Sequence, residues 1–312
     1  MIIEILIDFI QIVSIILLIL SLCVDVKEVD VMKKEYPKYS VLMSVYYKEK
    51  PTWFDESIKS MFEQTIKPNE FVLVEDGPLT KELYDVVEKY QTKYPKEFKV
   101  VAIEKNVGLG PALRKGVLNC KYDWIARADS DDISVKNRIE MQFNRIFENP
   151  KIDFIGSHHI EFIDNIKNVE TYSYKKLPVS YEEILKYSKN RNPFSHSVML
   201  IKKAAIVDSG NYREYHLVED YDLWLRMIRK GYYCENIDDY LSYVRVSKDL
   251  YKRRGGLKYL KSINKFKWEQ YKVGYFSLYE YIKSIVPHLI VCILPNKIRE
   301  TIYLKILRKE SK

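Results

Sequence analysis

Three carboxylates fall within four residues at Asp129-Ser130-Asp131-Asp132. Acids this crowded repel one another, and a fold tolerates them best where a cation neutralises them. Oxygen donors of this kind suit Mn²⁺ or Mg²⁺, which also bind diphosphate oxygens. In an arbitrary loop such a cluster would be a solvated turn. Here it directly follows the apolar run at 124–128, which favours the metal reading.

Three further groups share that setting. Glu75-Asp76-Gly77 closes another apolar run. A carboxylate there can accept a hydrogen bond from a base N–H, and glycine lets the chain turn sharply; the same tripeptide also fits an ordinary Asp-Gly turn. Asn106-Val107-Gly108-Leu109-Gly110 has Arg114 one turn further on. Glycines let a ligand approach closely, and a helix start favours anions. No Gly-Lys-Ser/Thr follows, so this is not a P-loop, and it does not follow the first strand as a dinucleotide fingerprint would. Glu219-Asp220-Tyr221-Asp222-Leu223-Trp224-Leu225-Arg226 continues at helical spacing, which puts Glu219 and Asp220 at a helix start. Acids there also serve as plain caps. His196, in Asn-Pro-Phe-Ser-His-Ser, precedes the apolar stretch 198–201; a buried histidine bonded to backbone accounts for it equally well.

The elements that would position these residues alternate. Residues 40–46, SVLMSVY, form a short and nearly continuous apolar run, as expected of a strand buried on both faces. A helical pattern follows over 53–64, then strand FVLVE at 71–75, helix 83–93, strand FKVVAI at 98–103, helix 108–118 and strand 123–126. Strand and helix alternate four times, which predicts an α/β domain with a doubly wound, mostly parallel sheet. Ligands of such sheets bind beyond the carboxyl ends of the strands, where the polar groups above fall.

The ends of the chain differ from this middle. Residues 9–24 carry no charge, and extending back to Ile5 takes in Asp8. A span needs about 20 apolar residues, so 1–35 is read as a hydrophobic anchor or an interfacial amphipathic segment. Glu4 and Asp8 do not suit a cleaved signal peptide. Lys27, Lys33, Lys34 and Lys38 follow it, which would keep that side cytoplasmic. Residues 246–312 are basic and aromatic, with SIVPHLIVCIL too short to span. They read as a helical tail on a membrane surface, or as an amphipathic helix packed on the domain. The catalytic part would then be 36–245. The net charge of +8 alone suits nucleic acid, an anionic membrane or phosphorylated substrates. The four cysteines lie far apart, which argues against a disulfide framework or a zinc ribbon.

Ser-Val-Tyr, Glu-Asp-Gly, Asn-x-Gly-Leu, Ala-Arg-Ala-Asp-Ser-Asp-Asp and Glu-Asp-Tyr-Asp-Leu-Trp-Leu-Arg occur in that order over 39–245. This resembles the family 2 glycosyltransferases of the glycosyltransferase-A fold, especially bacterial members that build capsular and exopolysaccharides. The resemblance implies a Rossmann-like nucleotide-binding half and an acceptor half. It implies that Asp76 contacts uracil, with Ser44, Tyr46, Glu75, Asn106, Gly108, Arg114 and Asp129 in the donor-nucleotide pocket. Asp129 and Asp131 match the outer acids of the family's DxD metal motif. Asp220 matches the catalytic base, with His196, Glu219 and Trp224 on the acceptor side. The family inverts the anomeric centre by single displacement. The implied partners are a nucleotide-sugar donor such as a UDP-sugar, a glycan or lipid-linked acceptor, and a membrane surface, with no nucleic acid. The implied place is the cytoplasmic face of the cell membrane. The Gln/Arg-x-x-Arg-Trp motif of processive members is absent, which implies one sugar per visit. A nucleotidyltransferase would carry a glycine-rich basic loop after the first strand, but residues 46–51 lack glycine. A non-catalytic basic membrane-surface protein accounts for the charge but not for four acidic strand-end motifs.

Overall fold

Strand β1 (Tyr39–Val45) is buried along its whole length because it lies inside the sheet and is covered on both faces. The computed structural model that shows this describes residues 13–15, 35–246 and 256–293. All but residues 13–15 of the segment expected at 5–24 lie outside the described residues, as do 247–255 and the tail beyond 293. Residues 1–36 and 37–312 form separate compact units. Residues 13–15 of the first are helical.

In the second unit β1 pairs in parallel with β2 (Glu70–Asp76) and β4 (Trp124–Arg127), and β2 with β3 (Phe98–Ile103). Helices α1 (Pro51–Phe62), α2 (Lys81–Lys93) and α3 (Leu109–Asn119) join them, as the alternation predicts. An aromatic stack ties this half together: Phe62 lies 3.8 Å from Tyr94 and 5.4 Å from Phe71 between ring centroids.

Past β4 the expectation of a mostly parallel sheet is corrected. The strands of the second half are β5 (Ile133–Ser134), β6 (Ile152–Phe162), β7 (Ser173–Lys175), β8 (Leu200–Lys202) and β9 (Tyr233–Arg245). Strand β8 runs antiparallel to both β4 and β6, β9 parallel to β6, and β5 antiparallel to β9. The order is β3-β2-β1-β4-β8-β6-β9-β5, with β7 beside β6. The sheet is therefore mixed. Strand direction depends on partners distant in the chain, which local apolar patterning does not report.

Helix α4 (Arg138–Glu148) locks the two halves. It buries Arg138, Ile139, Gln142, Phe143 and Ile146, one stripe at helical spacing. The Arg138 guanidinium donates to the carbonyls of Arg127 (2.8 Å), Met199 (3.0 Å) and Ser197 (3.1 Å). Gln142 donates to the Val198 carbonyl at 2.7 Å. Together they fasten the end of β4 to the start of β8.

Helices α5 (Tyr181–Ser188), α6 (Lys203–Asp208) and α7 (Glu219–Arg229) complete the second half. The described part of the basic tail is α8 (Gly256–Lys272) and α9 (Leu278–Ile293). Helix α8 packs on the domain: the Phe266 ring lies 4.7 Å from Tyr221 and 6.3 Å from Tyr215. Among the described residues no helix is long and apolar enough to cross a membrane.

Candidate active site

Because β1, β2, β3 and β4 run the same way, the residues after each open on one edge of the sheet. There the second and third motifs meet. The Asp76 carboxylate accepts from the Val107 N–H at 2.7 Å, the Asn106 amide at 2.9 Å and the Gly108 N–H at 3.0 Å. Asp76 thus braces the loop that starts α3. The fit is close: a Cβ on Gly77, whose φ is +86°, would stand 2.6 Å from the Asn106 backbone nitrogen. Glu75 is buried beside it, and burial raises its pKa above the usual carboxylate range. Ser44 is buried near the end of β1, and Tyr46 is partly exposed, edge-on to Tyr47. Arg114 turns away from this group and donates to the Tyr212 carbonyl at 2.6 Å, bracketing α3 to the second half.

The acidic loop after β4 separates its three carboxylates. Asp129 is ion-paired with the buried Arg127. Asp132 accepts from the Arg245 N–H at 2.8 Å, and burial, then Asp129, pushes its pKa up to about 7. Among the described residues no other side chain pairs with Asp131. Burial, then Asp132, Glu49 and Asp129, holds its pKa well above the usual range. The loop is short of positive charge, and all its side-chain donors are hard oxygens. That chemistry fits a divalent cation at Asp129 and Asp131. Among the described residues no three acidic, histidine or cysteine side chains form a closed metal cage. An ion of the Mg²⁺ type commonly takes one or two carboxylates and completes its shell with water and substrate phosphate.

On the acceptor side, α7 begins at Glu219. Asp220 accepts from the Asn192 amide at 2.6 Å and from the Tyr221 N–H at 2.7 Å. The Asn192 carbonyl oxygen accepts from Phe194 N–H at 3.2 Å, which fixes the amide with its NH₂ toward Asp220. Glu219 is 5% exposed, and one of its oxygens is buried without a hydrogen-bond partner. Burial, then the neighbouring Asp220, pushes its pKa up to about 8, and Asp129 adds to the rise. The acid pair therefore shares one electrostatic neighbourhood with the acidic loop. Gly110 lets the start of α3 approach α7: a Cβ there would lie 2.3 Å from the Arg213 carbonyl oxygen and 3.4 Å from Glu219 Cβ.

His196 bonds the Tyr212 hydroxyl at 3.0 Å. Burial, then the Arg127 charge, holds its pKa down to about 3, so it is neutral. Trp224 requires a correction. It was expected on the acceptor side but is 0% exposed, stacked 5.9 Å from Phe154 and edge-on to Phe194. Position 224 lies one turn further along the same face as Asp220, and from Tyr221 to Ile228 every residue of α7 is buried. Asp222 is likewise structural, buried in an ion pair with Arg226 at 2.9 Å.

Three residues near these groups are not singled out by their sequence context. Glu49 accepts from Ser130 Oγ at 2.5 Å, and its only signal is its place after β1. Asn192 enters only as the first residue of the Asn-Pro-Phe-Ser-His-Ser segment around His196. Arg245 has no local signal. Its guanidinium lies over Trp53 (4.6 Å) and Phe162 (4.5 Å), pairs with Glu56 at 2.7 Å and donates to the Asp131 carbonyl at 3.0 Å.

Comparison with known proteins returns one family. The model of Glycosyl transferase family 2 matches residues 40–210. The UDP-Gal:alpha-D-GlcNAc-diphosphoundecaprenol beta-1,3-galactosyltransferase of Escherichia coli is 37% identical, covering 89% of this chain and 99% of that protein. The amylovoran biosynthesis glycosyltransferase AmsE of Erwinia amylovora is 35% identical, covering 72% of this chain and 82% of that one. Among solved structures, the mannosyltransferase PcManGT of Pyrobaculum calidifontis, in complex with GDP-Man and Mn²⁺, aligns with TM-score 0.58 and 13% identity over 86% of this chain and 76% of that one. S. aureus TarS 1-349 in complex with UDP-GlcNAc aligns with TM-score 0.55 and 17% identity over 81% and 71%. At these identities the two structures speak to the fold, which is of the glycosyltransferase-A type with a mixed sheet.

Proposed function

Since this chain belongs to glycosyl transferase family 2, we propose that it moves one hexosyl residue from a UDP-sugar to a hydroxyl of a lipid-linked glycan, with inversion. The observation that carries this is the convergence at one sheet edge of the Asp76-braced loop and the acidic loop after β4, with α7 packed through Glu219 against Gly110 at the start of α3. The relative that uses UDP-galactose and a diphosphoundecaprenol acceptor supports the donor and the lipid-linked acceptor. The amylovoran relative supports a place in polysaccharide synthesis. The same acceptor class supports action at the cytoplasmic face of the membrane.

Asp129 and Asp131 would hold Mn²⁺ or Mg²⁺, which when bound offsets the charge of the departing diphosphate. The rest is done by the chain itself. The Asp76-braced loop and the start of α3 present backbone toward the nucleotide side of the edge. Asp220 takes the acceptor proton while the acceptor oxygen bonds to the anomeric carbon. The bond from that carbon to the diphosphate oxygen breaks, and its electron pair leaves with UDP. Asn192 holds Asp220 in position. Glu219, protonated at neutral pH by its raised pKa, adds no second negative charge beside the base.

The test is transfer from UDP-galactose to a GlcNAc-diphospholipid, with UDP affinity measured by calorimetry. Asp131→Ala should abolish transfer and weaken UDP binding in the presence of Mn²⁺. Full turnover after EDTA treatment would exclude the metal, and failure of UDP to bind the intact chain would exclude the donor.

A further inference from the structure

Helix α9 carries one apolar band, bordered on its inner edge by Ile285, 6% exposed. The outer part of the band carries Leu278, Tyr279, Ile282, Val286 and Leu289, exposed by 53, 71, 49, 41 and 38%. At 100° per residue these five fall within an arc of about 100°. The remaining arc holds Lys283, Glu280, Ser284 and His288, so the helix is amphipathic with part of its apolar band left uncovered by the chain.

The charges of the α8–α9 hairpin are sorted by sign. In the described residues of the α8–α9 hairpin the only acids are Glu269 and Glu280, and both turn inward. Glu269 accepts from the Tyr215 hydroxyl at 2.5 Å, and Glu280 pairs with Lys189 at 3.1 Å. Lys258, Lys261, Lys265, Lys272 and Lys283 are exposed. The sequence repeats the pattern: residues 246–312 hold 16 Lys and Arg against 5 Asp and Glu, a net +11 in a chain of net +8. The positive charge of the whole chain therefore resides in this segment.

We propose that the outward arc of α9 is a membrane-docking surface for anionic lipid, with Leu278, Ile282, Val286 and Leu289 entering the acyl boundary and the hairpin lysines meeting the headgroups. A second copy of the chain is disfavoured as the occupant, because a face-to-face contact would bring the two sets of lysines together. The proposal rests on the lipid-linked acceptor above only for its purpose; the docking itself is independent of catalysis.

The experiment uses the full chain carrying Val286→Trp, with vesicles of phosphatidylcholine alone or mixed with phosphatidylglycerol, their acyl chains brominated. The expected result is quenching of the new emission with the anionic vesicles and far less with phosphatidylcholine alone, over the wild-type baseline. Adding Ile282→Asp should return quenching to that baseline. A chain that pellets with vesicles but shows no added quenching overturns the proposal, because attachment is then elsewhere. So does quenching that Ile282→Asp leaves unchanged. If sedimentation without lipid shows a dimer that Ile282→Asp dissolves, the face belongs to a second copy and the proposal again fails. UDP calorimetry on the same samples separates this outcome from failure of the transferase reading.

Discussion

At the scale of single residues, the question is which member of the Glu219–Asp220 pair takes the proton. A base must be ionised to act. If Glu219 were the base, the rate would climb through about pH 8, where burial and Asp220 place its pKa. With Asp220 as base, Glu219→Gln should cost far less turnover than loss of the Asp220 carboxylate. Asp220→Asn should cost about 10²–10⁴-fold in turnover with UDP affinity kept. Asn192 gives a second test, since it donates to Asp220 at 2.6 Å. A hydrogen bond to the ionised form favours that form, so Asn192→Ala should move the acidic limb of the profile to higher pH. Asn192→Asp, which sets one carboxylate against another, should move it further. A merely structural asparagine would lower the rate without moving the limb. The acids of the site were legible in the sequence because each directly follows a strand or opens a helix. Asn192, Glu49 and Arg245 were not, because their roles come from contacts 28, 81 and 114 residues away in the chain.

At the scale of elements, the first four strands were legible because strands covered on both faces show as short apolar runs. The second half was not. Strand β9 mixes Glu235, Asn236, Asp238 and Asp239 with apolar residues, and β5 has only two residues. Neither presents a period to read. The turn after β2 offers the element-level test. Gly77 has φ of +86° and no room for a Cβ beside the Asn106 backbone. Gly77→Ala should therefore cost at least about 1 kcal/mol of stability by thermal melting. It should also weaken UDP binding, because the displaced backbone belongs to the Asp76-braced loop. Unaltered melting and affinity would show that the two loops can part without consequence.

At the scale of the whole molecule, the two halves proposed to bind nucleotide and acceptor meet at β4 and β8. Arg138 is fully buried at that seam, and burial lowers its pKa to about 9. Removing it takes the guanidinium donor from the carbonyls of Arg127 and Ser197, and leaves that of Met199 only the Arg127 N–H. A buried polar group left without its partner costs about 1–3 kcal/mol, so Arg138→Met should lower the melting temperature by several degrees. Intact thermal stability would mean that water or neighbours replace the guanidinium.

What Arg138 and Gln142 grip across the seam is main chain: the carbonyls of Ser197, Val198 and Met199. Every residue supplies that same oxygen, whatever its side chain. The joint is therefore a standard coupling. Substitutions that retune the far half for another sugar hydroxyl leave it untouched, and a homologue's acceptor half, grafted at the turn between α4 and β6, would find the same socket waiting. Diversification of linkage can proceed on one side of the molecule while the donor side stays as it is.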